Sequence, residues 1–335
     1  MNRTMKNLPS LVVSLATASL LMAGCKQEAA PGAATATTNS IARPATHAIA
    51  LVTKLTNTVF WQSMHTGAQA AGKEFGYEIV WTGPDRETNV ARQVALVDEA
   101  IGRGVDGVVL SPVDRTELVQ AVNKLSELNI PCVIVDSGVE TLNFVSFVST
   151  YNSLSGEFAA RRMGKILNGK GNVIVVRHLD GSQATFKRVS GFCQTLTNEF
   201  PGIKIVDSQS GQDTAQTAQT ATEEMLKRNP DVQGLFACNV DVSVGALQAL
   251  QALKRTDVKM VAYDPHKVLL DGLRAGQVDS IVVQNPYKMG YESVKAVVTH
   301  IKGQPVAKMM DTGVEIVTME NITEPKILRL LGEQQ

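Results

Sequence analysis

Two aspartates stand at matching places in two similar stretches of the chain, GVVLSPVDRTELVQAVNKLSELNIPCVIVDS and GLFACNVDVSVGALQALQALKRTDVKMVAYDP. Each stretch runs from a glycine through an apolar run, a polar turn, an amphipathic segment and a second apolar run to an aspartate. The two spans, Gly107 to Asp136 and Gly234 to Asp264, differ by one position. A carboxylate at such a place can accept from two hydroxyls at once. A carboxylate pair could also serve as general acid and base, or each aspartate could cap the segment that follows it.

Other groups of the same character collect where apolar runs end. In the first half these are Lys54, Thr58, Phe60, Trp61, Ser111, Asp114 and Ser137; in the second, His178, Asp180, Asn239, Asp241, Tyr263 and Gln284. Acceptors, amides and hydroxyls suit a ligand with neighbouring hydroxyl groups, and flat rings suit its C–H faces. Phe60 and Trp61 are conspicuous because aromatics make up only 5% of the chain. Taken singly, these residues have plainer readings. Phe60 and Trp61 could fill a core, Thr58 could cap a helix, Asn239 and Gln284 could lie in turns, and His178 reads as structural. The shared location at strand ends lifts the set above those readings.

Catalytic and metal signatures are lacking. There is no GxSxG, no HExxH, no GxGxxG after the first apolar run, and no separate nucleophile or metal set beside the aspartates. Gly169–Gly171 lacks phosphate-loop spacing and reads as a helix-ending turn. Cys132, Cys193 and Cys238 fall in patterns of small buried hydrophobes, and a Cys132–Cys238 disulfide is not expected. No cofactor is called for. The 335 residues balance 32 Lys and Arg against 32 Asp and Glu, so nothing favours a nucleic-acid partner.

The elements that position these groups alternate. From Ala48 onward, short apolar runs (AIALVTKL, VDGVVLSP, IPCVIVDSG, NVIVVRH, VQGLFACN, VKMVAYDP) are separated by amphipathic segments. Such alternation is the pattern of parallel βαβ units, and near-continuous apolar strands belong in sheets covered on both faces. The fold class is therefore α/β, with two doubly wound parallel-sheet lobes. Ligands of open α/β sheets bind beyond the strands' C-terminal ends, so two facing edges make a cleft with Asp136 on one wall and Asp264 on the other. Helices are expected at 61–76 and 115–129, among others.

Ahead of these units, MNRTMKNLPSLVVSLATASLLMAGC has a positive start, an apolar run from Leu8 to Met22, and Ala23 and Gly24 before Cys25. That order describes a secretory signal. Ending on cysteine, it resembles the lipobox of bacterial lipoproteins, with Met22 where an aliphatic residue is more usual. Cleavage before Cys25 and its lipidation are implied, as is a membrane-anchored location in the periplasm or on the cell surface. Residues 26–46, rich in Ala, Thr, Pro and Gly, read as a flexible tether.

The chain from about Thr46 to Leu330 resembles the periplasmic sugar-binding proteins of ABC transporters, in the ribose- and allose-binding branch. The resemblance is carried by the order and spacing of ALVTKLTNTVFWQSMHTGA, GVDGVVLSPVD, IPCVIVDSGV, STYNSLSGEFAA, PDVQGLFACN, VGALQAL, VAYDP and SIVVQNPYKMGYESVKAV. Sugar-responsive repressors share the lobes, but they carry a helix-turn-helix where this chain has a signal and a tether. The resemblance implies a type I periplasmic binding protein fold joined by a three-strand hinge. It places 47–150 with 285–313 in an N-terminal lobe, and 151–284 with 314–331 in a C-terminal lobe. Ligand residues carried over are Lys54, Thr58, Phe60, Trp61, Asp136 and Ser137 on the first lobe, Asn152 near the hinge, and Asn239, Asp264 and Gln284 on the second. The branch has Arg where Ser137 and Phe186 stand here, while Arg188 matches a second, less direct arginine. An aromatic expected near SQSGQD is replaced by Gln212 or Asp213. Two bidentate guanidinium contacts are thus missing, which puts ribose itself in doubt. The function implied is a monomeric receptor that passes a small polyhydroxylated ligand, a monosaccharide first, to an ABC permease. The alternatives are a sugar- or autoinducer-binding sensor that docks to a chemoreceptor or kinase, and an exported enzyme on the same fold.

Overall fold

The computed structural model describes residues 47–332. The signal, the proposed lipidation site at Cys25 and the tether lie outside the described residues. Apolar runs become strands and amphipathic segments pack over them. The chain opens with β1 (Ala48–Val52), α1 (Val59–Phe75), β2 (Glu78–Thr82), α2 (Val90–Arg103), β3 (Gly107–Leu110), α3 (Val119–Glu127), β4 (Cys132–Val135) and β5 (Ser146–Ser149). It continues through α4 (Asn152–Ile166), β6 (Lys170–Arg177), α5 (Gln183–Glu199), β7 (Gly202–Ser210), α6 (Ala215–Arg228), β8 (Gly234–Ala237), α7 (Val240–Ala252), β9 (Lys259–Tyr263), α8 (Lys267–Arg274) and β10 (Ser280–Gln284). Last come α9 (Pro286–Ile301), β11 (Met309–Asp311), β12 (Val314–Val317) and α10 (Pro325–Leu331).

Two six-stranded sheets result, in the orders β11-β5-β4-β3-β1-β2 and β12-β10-β9-β8-β6-β7. The first is parallel throughout, and in the second only β12 runs antiparallel, along β10. In each sheet the order reverses beside the first strand to enter it, β1 or β6. Crevices for ligands open at such reversals, beyond the strands' C-terminal ends. Ile49, Leu51, Val109 and Val133 of the first sheet, and Ile174, Leu235 and Val261 of the second, are fully buried. Each contributes about 1.5–3 kcal/mol of apolar burial. The chain passes between the sheets at 149–152, 284–286 and 311–314.

Helix α1 begins at Val59, two residues before the expected start, because Thr58 takes the extended conformation of an N-cap. Helix α3 is shorter than expected. Asp114 Oδ1 accepts from the backbone N–H groups of Thr116 and Glu117, and this local turn competes with the helix. Helices α1 and α9 meet backbone to backbone. A Cβ on Gly67 would lie 2.0 Å from Tyr287 O, and one on Gly290 would lie 1.9 Å from Met64 O. Gly156 and Gly191 bring α4 and α5 together in the same way. Cys132, Cys193 and Cys238 are free. Among the described residues no helix is long and apolar enough to cross a membrane.

Candidate functional site

The sheets' C-terminal edges face each other across a cleft lined by residues of both lobes, the place where open α/β sheets bind small molecules. The lobes touch at its rim. Lys54 Nζ donates to Ser182 Oγ at 3.0 Å, the Ala184 N–H to Ser137 Oγ at 3.3 Å, and the Arg115 N–H to Gly181 O at 2.9 Å. Arg86 grips Asp213 with two hydrogen bonds, of 3.1 and 2.6 Å. Asp213, near where the resemblance leads one to expect an aromatic, therefore ties the second lobe to the first.

Asp136 and Asp264 occupy equivalent posts. Each follows a central strand, and each has a left-handed backbone, with φ of 59° and 62°. Few residues other than glycine, asparagine and aspartate tolerate that conformation. Each backbone N–H still donates to the neighbouring strand, Asp136 to Val148 O and Asp264 to Val282 O. Neither side chain caps a helix. Asp136 Oδ2 accepts from Ser111 Oγ at 3.1 Å, and Asp264 Oδ1 accepts from Gln284 Nε2 at 2.8 Å.

Arg188 lies between them, buried on α5 and stacked 4.0 Å from the centre of the Tyr263 ring. Its Nε donates to Asn152 Oδ1 at 2.8 Å, Nη1 to Cys238 O at 3.1 Å, and Nη2 to Gln284 Oε1 at 3.0 Å. The Asp136 and Asp264 carboxylates flank it at 3.9 and 3.8 Å. Most of the guanidinium's donors are thus spent on the protein, and Arg188 organises the floor of the cleft more than it offers itself to a ligand. Burial pushes the Asp264 carboxyl up to about 6, against the pull of Arg188. Burial, with help from Glu87 and Asp213, takes Asp241 to about 6 as well.

Of the twelve ligand residues expected from the sequence, nine line the cleft: Lys54, Thr58, Phe60, Trp61, Asp136, Arg188, Asn239, Asp264 and Gln284. Phe60 and Trp61 meet edge to face, with centroids 4.9 Å apart. Asn239 lines the cavity and also caps α7, accepting from the Val242 N–H. Gln284 ends a strand instead of lying in a turn. Ser137 and Asn152 stand behind the lining. Phe186 does not reach it. It is 49% exposed and lies under Arg115 at 5.0 Å, while its neighbour Thr185 faces the cleft. One helical step of about 100° separates the two directions.

Six further residues line the cleft, and three of them are titratable: Glu87, His178 and Asp241. Glu87, in the loop after β2, was not singled out in the sequence, although it too follows a strand. Asp241 and His178 stand at strand ends, but His178 reads as structural there. In the fold His178 is 2% exposed, neither ring nitrogen has a protein partner, and burial, reinforced by Lys54, holds it neutral with a pKa near 3. Glu87 is 8% exposed, its carboxyl is pushed up by burial, and its Oε2 also lacks a hydrogen-bonding partner. The lining carries four carboxyls (Glu87, Asp136, Asp241, Asp264) against two permanent cations, Lys54 and Arg188. The surface is rich in acceptors. Among the described residues no group of His, Cys, Asp and Glu is arranged to hold a metal.

Two doubly wound lobes enclosing a polar cleft define a bilobal solute-binding protein. Residues 49–305 match the periplasmic binding protein domain, and the chain belongs to that family. The ribose import binding protein of Escherichia coli is 26% identical over 86% of this chain and 95% of its own length. The carbohydrate transporter solute-binding protein of Agrobacterium radiobacter, solved with D-arabinose, superposes with a TM-score of 0.83 at 29% identity, covering 86% of this chain and 100% of the other. An ABC transporter solute-binding protein of Agrobacterium vitis with bound D-fucose gives 0.81 at 32% identity, over 85% and 99% of the two chains.

Proposed function

We propose that the protein is an extracytoplasmic receptor that captures a neutral polyhydroxylated ligand, a monosaccharide or close polyol, and delivers it to an ABC permease. The acceptor-rich cleft carries this reading. With four carboxyls facing two cations, one of them mostly engaged by the protein, the lining calls for hydrogen-bond donors on the ligand. Hydroxyls supply them, and the Phe60 and Trp61 rings offer an apolar face to C–H groups. A sugar acid or phosphorylated sugar would bring more negative charge to a cavity already short of cations. The sugar-transport roles in the relatives' names support the same reading. The signal pattern ending at Cys25 supports attachment to the membrane through lipid on that residue, with 26–46 as the tether.

A thermal-shift screen of pentoses, hexoses, polyols and uronic acids tests this reading. A ligand at 100 times its dissociation constant adds about 2.7 kcal/mol of stability. A shift with one neutral class and none with its uronic acid is expected. A shift with acids alone refutes the reading. Asp136→Ala and Asp264→Ala should each weaken binding by about 1–3 kcal/mol or more, by leaving a ligand hydroxyl unpaired. Calorimetric affinity retained in both variants would remove these aspartates from the site.

A further inference from the structure

Three side chains of the cleft lining hold buried polar atoms that no protein group satisfies: Thr58 Oγ1, Glu87 Oε2, and His178 Nδ1 and Nε2. Glu87 and His178 lie together beside Lys54. Glu87 comes from the loop after β2 and His178 from the end of β6, so they belong to opposite lobes. Glu87 Oε2 lies 3.9 Å from His178 Nε2 and 3.9 Å from Lys54 Nζ. Both gaps are too long for a direct hydrogen bond. An oxygen lying off the line between Glu87 and His178 reaches both at ordinary length.

The chemistry of the pair narrows what that atom is. A neutral imidazole offers one N–H and one bare nitrogen, and a carboxyl only accepts when ionised but also donates when protonated. A group that serves the pair whichever ring nitrogen holds the proton, and whether or not Glu87 carries one, must be able both to donate and to accept. An ammonium cannot accept, and an ether or carbonyl oxygen cannot donate; a hydroxyl does both. We propose that Glu87 and His178 form a hydroxyl-reading subsite beside Lys54 in the cleft, and that this subsite decides which epimer of the ligand the protein accepts. The proposal rests on the reading of the cleft as a site for a polyhydroxylated ligand. Because its halves lie on different lobes, the subsite is assembled only when the lobes meet. A ligand without a hydroxyl there leaves these groups bare in a dry site, and sites built to pair a hydroxyl reject analogues that lack it.

Isothermal calorimetry on the full chain in mild detergent tests the idea, with D-ribose, D-arabinose, D-xylose, D-lyxose, D-galactose and D-fucose as probes. The set contains pairs that differ at a single hydroxyl. The wild type is expected to separate at least one such pair by about 30-fold or more. Glu87→Met and His178→Phe each remove the polar demand in a similar volume, and either should bring that pair within about 5-fold. Asp136→Asn serves as the contrast, weakening all bound sugars together. A wild type that binds without distinguishing any pair, or variants that keep the wild-type ranking, overturns the subsite alone. A wild type that binds none of the six and shows no shift with other polyols overturns the reading on which the subsite rests, and the subsite with it.

Discussion

Replacing Arg188 with methionine should unfold the protein at much lower denaturant. Methionine keeps the length and the packing against Tyr263 but removes the charge and every donor. Three acceptors, Asn152 Oδ1, Cys238 O and Gln284 Oε1, lose their donors, and the Asp136 and Asp264 carboxylates lose the cation between them. Breaking one partner out of a buried charge cluster costs about 3–5 kcal/mol. Against a net stability of about 5–15 kcal/mol, that is about a fifth of the total or more. The expected result in urea, followed by far-ultraviolet circular dichroism, is a much lower midpoint with an unchanged slope. Arg188→Lys keeps the charge, but one ammonium cannot reach three acceptors set in a fork, so a loss of about 1–3 kcal/mol is expected. The deficit of the methionine variant should also shrink at pH 5, because Asp264, at about 6 with its cation present, climbs further without it and can bury a proton in place of a charge. A loss below about 1 kcal/mol for Arg188→Met at pH 7.5 would show that the cluster does not need its cation.

Gly290→Ala puts a Cβ 1.9 Å from Met64 O, and α1 and α9 must move apart to admit it. A lower melting temperature is expected, from a cost of about 1–3 kcal/mol or more; an unchanged one would mean the helices have slack. Acid should act through Asp264. Its folded pKa of about 6 lies above the ordinary aspartate value of 3.8, so its contribution to stability is complete below about pH 4 and is lost as pH rises through 6. Wild type minus Asp264→Asn should therefore be more favourable at pH 4.5 than at pH 7.5, by about 2 kcal/mol. His178 works in the opposite sense. The unfolded chain takes a proton there below about pH 6.5 while the folded one does not until about 3, so stability is lost as pH falls through that window. An Asp264→Asn difference with the reverse slope would refute the burial argument.

Much of the frame is visible in the sequence because it is local. Strand and helix alternate at a short period, and Asp136 and Asp264 stand out because the two halves repeat one design. What escapes depends on parts of the chain brought together from afar. The donors of Arg188 are spent on residues 36, 50 and 96 positions away, so its role as an organiser cannot be read from its neighbours. His178 looks like a solvated or structural histidine until the first lobe covers it. Glu87 follows Pro84 in a loop that shows no apolar period, and only its place after a strand marks it. Phe186 was carried over from a position one helical step away from the face that meets the cleft, and that step sends it to the surface.

The route of the chain sets an unusual order of completion. Most of the second lobe is inserted into the first, whose last two pieces, α9 and β11, are made only after residue 284. Until then α1 has no partner for Gly67 and Met64, whose contacts lie more than 200 residues downstream. The first lobe is thus begun first and finished last, the reverse of the usual domain-by-domain order of synthesis. Any product stopped before Pro286 carries a bare apolar helix face and an unpaired β5 edge. Stalled or truncated chains should be the species that chaperones hold and proteases remove.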